Sequence, residues 1–329
     1  MCGIVAVIGS REAAPLLLEG LRQLEYRGYD SSGLATIEQL EPENTGRITC
    51  QRAKGKLINL SVLVEKDGSP GQLGIGHTRW ATHGKPEERN AHPHRDSSGK
   101  IAVVQNGIIE NYRVLKQQLE SEGVVFLSET DTEVVPHLIA NQLKQLRNKS
   151  SDNTSGTMLL EAVQTVCERL EGAYAIAVIS AEVPDALVVA KRQAPLLIGL
   201  GKGEFLCASD TPALAGFTRT ILPMEDGETA LLTPLGIELY DEEGLRKQRS
   251  PSLLTGVEHL VDKKNFRHFM LKEIHEQPET AALWIARHLP NGLPKESPVA
   301  MPFDNSFYEG IERIQILACG TSRHAAMVG

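Results

Sequence analysis

The sequence predicts a mixed α/β protein (α+β) in which two sheet layers are covered by helices. Three observations carry that expectation. Residues 3 to 8, Gly-Ile-Val-Ala-Val-Ile, form a short apolar, β-branched run, the pattern of a buried strand at the N-terminus. Leu17, Leu18, Leu21 and Leu24 then recur at helical spacing and make residues 11–25 an amphipathic helix. Downstream, strand-like segments come in clusters and helical ones in pairs, which points to stacked sheets instead of a regular strand-helix alternation.

In chain order, glycines at 28 and 33 bracket the loop after the first helix. Strand-like segments follow around 34–37, 73–77, 101–105, 173–179, 186–190, 196–199, 205–208 and 229–240, with helical patterns at about 110–121, 131–146 and 158–170. Polar stretches at 38–50 and 147–157 read as surface loops or insertions. After about residue 241 the texture changes: a charged segment leads to a helical pattern over 268–289 and a Pro-rich stretch over 290–302, the signature of a domain boundary. Residues 314–322 read as a buried-type strand running into a small-residue turn, and the sequence stops at Gly329 in the expected next helix. The expected organisation is one domain over 1–240, a linker with a helix over 241–310, and over 311–329 a stub of a further domain.

Composition removes several classes of function. Of 329 residues, 41% are hydrophobic and 23% charged, ordinary values for a globular protein. A net charge of -8, with Lys and Arg interspersed among acids, leaves no basic stripe, so nucleic-acid binding is not expected. No run reaches the roughly 18 apolar residues of a membrane span, and the N-terminus lacks the basic flank of a signal peptide. The five cysteines, at 2, 50, 167, 207 and 319, are odd in number and widely spaced, which fits reduced thiols in a cytoplasmic protein.

Cys2 follows the initiator Met directly. Removal of Met1 would put a free α-amine, of ordinary pKa about 7.7–8.0, on the same residue as a thiol of about 8.5, so the nucleophile would carry its own base. By position alone a buried structural cysteine is the commoner reading. The start Met1-Cys2-Gly3-Ile4-Val5 resembles that of the class II glutamine amidotransferases. Leu24-Glu25-Tyr26-Arg27-Gly28-Tyr29-Asp30-Ser31-Ser32-Gly33 is similar to the segment typical of the glutamine:fructose-6-phosphate aminotransferase family. The resemblance implies a four-layer α/β/β/α N-terminal-nucleophile sandwich in which Cys2 attacks the side-chain amide of L-glutamine.

His77-Thr78-Arg79-Trp80-Ala81-Thr82-His83-Gly84 follows a predicted strand. A planar guanidinium binds a carboxylate through two parallel hydrogen bonds, which makes Arg79 the candidate clamp for an amino acid. The family resemblance assigns Arg79 to the glutamine α-carboxylate, places Thr82 and His83 nearby, and sets Trp80 toward a second active site. Asn106-Gly107, read by spacing alone, is a hairpin turn. The resemblance instead implies that Asn106 and Gly107 form an oxyanion hole. Ser128 to Glu133 reads as a helix start capped by Thr130 or Asp131, and the resemblance gives Asp131 the glutamine ammonium. Arg27 either orders the nucleophile's end of the pocket or makes a structural salt bridge. His92 and His94 lack a third ligand and make a poor metal site, and neither metal nor organic cofactor is implied.

At the other end, Cys319-Gly320-Thr321-Ser322 resembles the opening of the family's sugar isomerase domain, with Thr321 and Ser322 belonging to an incomplete sugar-phosphate site. Lys272 to Pro278 is similar to the family's inter-domain helix. The implied reaction of the longer, homodimeric enzyme moves glutamine nitrogen to fructose 6-phosphate, giving glucosamine 6-phosphate and glutamate, whereas the present chain is expected only to hydrolyse glutamine. Rival readings are another class II amidotransferase, such as one acting on phosphoribosyl pyrophosphate, and a non-catalytic glutamine-sensing module.

Overall fold

The computed structural model describes residues 2–40, 45–81, 83–149, 154–254, 265–288, 305–318 and 320–328. The N-terminal apolar run forms the strand Gly3–Gly9, central in an eight-stranded sheet. Across that sheet the order is Ser252–Leu253, Thr220–Pro223, Leu197–Leu200, Glu204–Ala208, Gly3–Gly9, Leu73–Arg79, Ser31–Leu40 and Thr45–Lys54. A seven-stranded sheet runs Arg246–Lys247, Gly236–Tyr240, Thr229–Thr233, Val183–Arg192, Tyr174–Ser180, Ile101–Gly107 and His94–Arg95.

Strand parity then builds the layers, because alternate side chains leave opposite faces of a sheet. Ile4, Ala6, Ile8, Leu73 and Ile75 of the larger sheet meet Ala102, Val104, Ala175, Ala177 and Ile179 of the smaller one in a buried inter-sheet core. The opposite parity, Val5 and Val7, packs on Leu17, Leu21 and Leu24 of the helix Ala13–Leu24. On the far side Ile101, Val103, Ile176 and Val178 pack on the helices Val134–Lys149 and Gly156–Arg169. The result is the expected helix, sheet, sheet, helix stack. Each fully buried Leu, Ile or Val contributes about 1.5–3 kcal/mol, so all three apolar interfaces bind the layers strongly.

Several expectations need correction. Residues 38–40 and 45–50 are strand and not loop, while 41–44 lie outside the described residues: Ser31–Leu40 pairs in continuous register with Thr45–Lys54, from Ser31 opposite Lys54 to Leu40 opposite Thr45. The second strand lies at the sheet edge, where polar residues are tolerated and the apolar alternation used to find strands shrinks to Ile48 and Cys50, which pack on the inter-sheet core. Leu57–Asp67 is a helix, burying Leu57 and Leu60. The segment 229–240 is two strands, Thr229–Thr233 and Gly236–Tyr240, paired as a hairpin. The helix expected from residue 131 starts at Val134, because the side chains of Thr130, Asp131 and Thr132 are engaged with other elements.

The chain divides into two compact units, Met1–Asp262 and Lys263–Gly329. Both sheets gain their last strands, Arg246–Lys247 and Ser252–Leu253, after residue 241. The second unit contains the helix Phe269–His288, with Pro278 inside it, the short helix Asn305–Glu309, and the helix Gly320–Val328. The strand expected over 314–322 does not form: residues 311–318 have no regular structure, and Ile314, Ile316 and Leu317 are exposed. A strand requires a partner for its backbone N–H and C=O groups, and none pairs with it among the described residues. No described helix is long and apolar enough to cross a membrane.

Candidate active site

Parity within the inter-sheet layer brings chemistry to one end of it. Cys2 continues the inward-facing series Ile4, Ala6, Ile8, while His77 and Arg79 continue Leu73 and Ile75, and Asn106 continues Ala102 and Val104. Gly3 sits opposite Thr78, so Cys2 lies beside the end of the Leu73–Arg79 strand. A narrow cleft is lined by Cys2, Arg79, Trp80, His83, His92, Gln105, Gly107, Thr130 and Asp131. A wider groove lined in part by Lys144 and Arg147 contains no cysteine, so chemistry and not size distinguishes the smaller cleft.

The Cys2 thiol is held by main chain. The Trp80 N–H donates to Sγ at 3.2 Å, and Sγ donates to the Trp80 carbonyl at 3.5 Å. Burial pushes the thiol pKa above its ordinary value, while the Trp80 hydrogen bond and the chain's N-terminal charge pull it down without cancelling that effect. The thiol therefore needs a base to take its proton.

The Arg79 guanidinium is buried and donates to the carbonyls of Lys85 at 3.3 Å, Gly84 at 3.4 Å, and His83. Asp131 is also buried; its Oδ2 accepts the Ile109 N–H at 2.8 Å, and its Oδ1 stands 3.9 Å from His83 Nδ1. Burial raises the Asp131 carboxyl pKa, against the lowering effects of Ile109 and His83. His83 packs edge-on to Tyr112 at 5.4 Å. Thr82 lies outside the described residues.

Asn106 and Gly107 do not form a hairpin turn. They end the strand Ile101–Gly107, paired with Ala175 and Tyr174. Asn106 Nδ2 donates to the Cys2 carbonyl at 3.2 Å. Gly107 has φ of 105°, and a Cβ there would lie 2.0 Å from the Ala173 carbonyl oxygen, so glycine is required.

The Leu24–Gly33 string packs behind this cleft. Arg27 is buried and donates to Ser209 O at 3.1 Å and Asp210 Oδ2 at 2.9 Å, while the Ser209 hydroxyl accepts the Ile4 N–H at 3.0 Å. Arg27 thus makes a salt bridge and also braces the strand that follows Cys2. Gly28 lies against the main chain of Arg79, 2.8 Å from a built Cβ. Asp30 donates its N–H to Arg79 O at 3.2 Å and accepts the Ala81 N–H on its carboxylate. Trp80 is half exposed and meets Tyr29 edge-on at 5.6 Å.

Two sets of residues escaped the sequence reading. His77 is fully buried, with Nε2 3.1 Å from Asn106 Oδ1, and it stacks on His92 at 4.2 Å with an 11° interplanar angle. Gln105 and Thr132 join through a 2.6 Å hydrogen bond donated by the Thr132 hydroxyl. The odd-number series 73, 75, 77, 79 was the signal that could have found His77. Among the described residues no three His, Cys, Asp or Glu side chains converge to hold a metal. In the second unit, Thr321 and Ser322 fall in the helix Gly320–Val328; the Ser322 side chain is exposed, and that of Thr321 lies outside the described ones.

Comparison with known proteins gives the family. A glutamine amidotransferase domain family matches residues 77–216. The glutamine--fructose-6-phosphate aminotransferase (isomerizing) of Nostoc sp. (strain PCC 9229) is 54% identical over 330 residues, covering 100% of this chain and 51% of the relative. The chain belongs to this aminotransferase family. Members from Thermosynechococcus vestitus and Clostridium tetani are 53% and 44% identical, again across 100% of this chain and 51% of theirs. The chain thus spans about half the length of the curated relatives it matches. Among solved structures, a glutamine phosphoribosylpyrophosphate amidotransferase from B. subtilis, complexed with ADP and GMP, superimposes with TM-score 0.59 at 27% identity, over 73% of this chain and 49% of that one. An allosteric regulatory enzyme of purine biosynthesis gives TM-score 0.60 at 28% identity, with the same coverage. The family's N-terminal-nucleophile sandwich is therefore the fold of this chain.

Proposed function

We propose that this chain hydrolyses L-glutamine with Cys2 as the nucleophile. The observation that carries the reading is the convergence on one cleft end of a thiol, a buried guanidinium, a buried carboxylate and the strand end carrying an amide donor. Arg79 takes the α-carboxylate and Asp131 the α-ammonium, with Thr82 and His83 beside them, so the δ-amide is presented to Cys2. Because burial raises the thiol pKa, the α-amine freed by loss of Met1 accepts the Sγ proton. The new Sγ–C bond pushes electrons onto the amide oxygen, held by Asn106 Nδ2 and the Gly107 N–H. Collapse breaks the C–N bond, the α-ammonium returns its proton, and ammonia leaves a glutamyl thioester, which water hydrolyses to glutamate and free thiol.

In the longer relatives' architecture, the glutaminase domain extends past residue 240 to take in the sheet strands Arg246–Lys247 and Ser252–Leu253, the following residues to 310 are the linker and inter-domain helix, and 311–329 the opening of a sugar isomerase domain. There Thr321 and Ser322 serve a sugar-phosphate site and Trp80 faces the ammonia route. Such a protein acts as a cytoplasmic homodimer, passing ammonia to fructose 6-phosphate and forming glucosamine 6-phosphate. The 329 residues alone are expected to form glutamate and no glucosamine 6-phosphate. The test is glutamate release by wild type and Cys2→Ala, with intact mass to read the N-terminus. Loss of Met1 and a variant at background support the mechanism; equal release from both proteins overturns it.

A further inference from the structure

We propose that His77 is the positioning residue of the oxyanion amide: its Nε2–H, donated to Asn106 Oδ1 at 3.1 Å, holds the side chain with Nδ2 turned to the Cys2 end of the cleft. The inference rests on the reading of Asn106 as an oxyanion donor. An Asn amide is nearly symmetric in shape, and its terminal torsion is soft, so packing alone does not decide which end is oxygen. Hydrogen-bond partners decide it. In the observed orientation the oxygen faces His77 Nε2, which bonds it as the Nε2–H tautomer, and the NH₂ faces the Cys2 carbonyl. A flipped amide would set oxygen against the Cys2 carbonyl and NH₂ against the His77 N–H, losing both bonds and aiming an acceptor at the oxyanion.

The device requires a fixed, neutral ring, and the surroundings supply both. Burial pushes the His77 pKa down to about 3, against the Asn106 hydrogen bond, so the ring carries no charge near neutrality. Its face is stacked on His92, whose Nδ1 accepts the Gln105 N–H at 3.2 Å and whose Nε2 lies 3.4 Å from Thr132 Oγ1. Thr132 in turn donates to Gln105 Oε1 at 2.6 Å. His94, 4.8 Å from His92, meets Thr130 Oγ1 at 3.0 Å. The column therefore anchors the Asn106 amide to the Thr130–Thr132 segment, which also carries Asp131.

His77→Phe keeps the ring shape and the stack but removes the N–H, while His77→Gln retains a donor. Glutaminase kinetics of both, of Asn106→Ala, and of His77→Phe combined with Asn106→Ala form the test. Losing one neutral hydrogen bond should lower kcat about tenfold in His77→Phe, with KM within about twofold and most of the rate restored in His77→Gln. Asn106→Ala should lose about 100-fold to 1,000-fold, and adding His77→Phe should cost nothing more, because there is no amide left to orient. Losses that multiply in the double variant, or a His77→Gln no better than His77→Phe, overturn the inference. A second reading needs no substitution: imidazole ¹⁵N signals of the wild-type protein should show Nε2 protonated and Nδ1 bare from about pH 5 to pH 8. A ring that titrates in that window, or carries its proton on Nδ1, overturns it too. A wild type no more active than Cys2→Ala removes the glutaminase reading itself, whereas an active wild type with multiplying losses removes only the role of His77.

Discussion

Gly107→Ala tests the strand end at which the amide donor and the fold meet. The residue has φ of 105°, where an L side chain costs about 1–2 kcal/mol. The added Cβ would also lie 2.0 Å from Ala173 O, 2.9 Å from Ala173 C and 3.1 Å from Tyr174 Cα. All three are backbone of the neighbouring segment, so relief requires the strands to part. That movement would strain the 2.8 Å bond from the Ile108 N–H to Ala173 O, a further loss of about 1 kcal/mol. Together these give about 2–3 kcal/mol, or roughly 4–12 °C in Tm for a domain of this size. Because the same shift moves the Gly107 N–H, kcat should fall at least about 100-fold. Gly123→Ala is the control: φ is 90° but a Cβ there meets nothing within 4 Å, so only the φ cost of about 1 kcal/mol should appear. Differential scanning fluorimetry and glutamate release read both effects. If Gly107→Ala melts with Gly123→Ala and retains wild-type kcat, the account of this strand end is wrong.

Asp131, with its pKa raised by burial, must be ionised to hold an ammonium. Log kcat/KM should therefore begin to fall at a higher pH than for an ordinary aspartate, and Asp131→Asn should raise KM and flatten that acidic limb, measured by a pH profile of glutamate release. Glu133 behaves in the opposite sense: burial pushes it up, but His137, whose Nε2 stands 3.9 Å away, and hydrogen bonds from Leu127 and Ser128 outweigh burial and hold it at about 2, below its ordinary 4.5. A depressed carboxyl contributes stability above its unfolded pKa and loses it as pH falls through the folded one. Glu133→Gln should thus lower Tm at pH 7, with the gap to wild type closing as pH falls from about 4.5 toward about 2; a constant gap would contradict the linkage.

Much of the sandwich was legible because its central strands are buried on both faces. Gly3–Gly9 and Tyr174–Ser180 read as continuous apolar runs, and Leu17, Leu21 and Leu24 display their one buried face plainly. Thr45–Lys54 was illegible because an edge strand with Arg47, Gln51 and Arg52 displays only a two-residue apolar alternation, Ile48 and Cys50. In Leu57–Asp67 the exposed Ile58 and Val62 blur the stripe set by buried Leu57 and Leu60. Residues 314–317 failed differently: their apolar character is that of a strand, but strand formation depends on a partner, which local composition does not encode. At the site, Cys2, Arg79, Asn106 and Asp131 stood out as polar groups in recognisable strings. His77 opens the same string as Arg79 but received no role there, because what it does depends on the opposite sheet bringing Asn106 to it.

None of Leu24–Gly33, the most recognisable string in the sequence, lines the cleft. Asp30 and Gly28 shape the main chain on either side of Trp80, and Trp80 N and O are the groups that hold the Cys2 sulfur. The Cys2 thiol's immediate surroundings are thus assembled from three stretches of chain that meet only after the first strand, the Leu73–Arg79 strand and the intervening string have docked. Turnover then doubles as a clock for folding. During refolding, glutamate release cannot precede the closure of that three-part contact, however early the individual strands and helices appear.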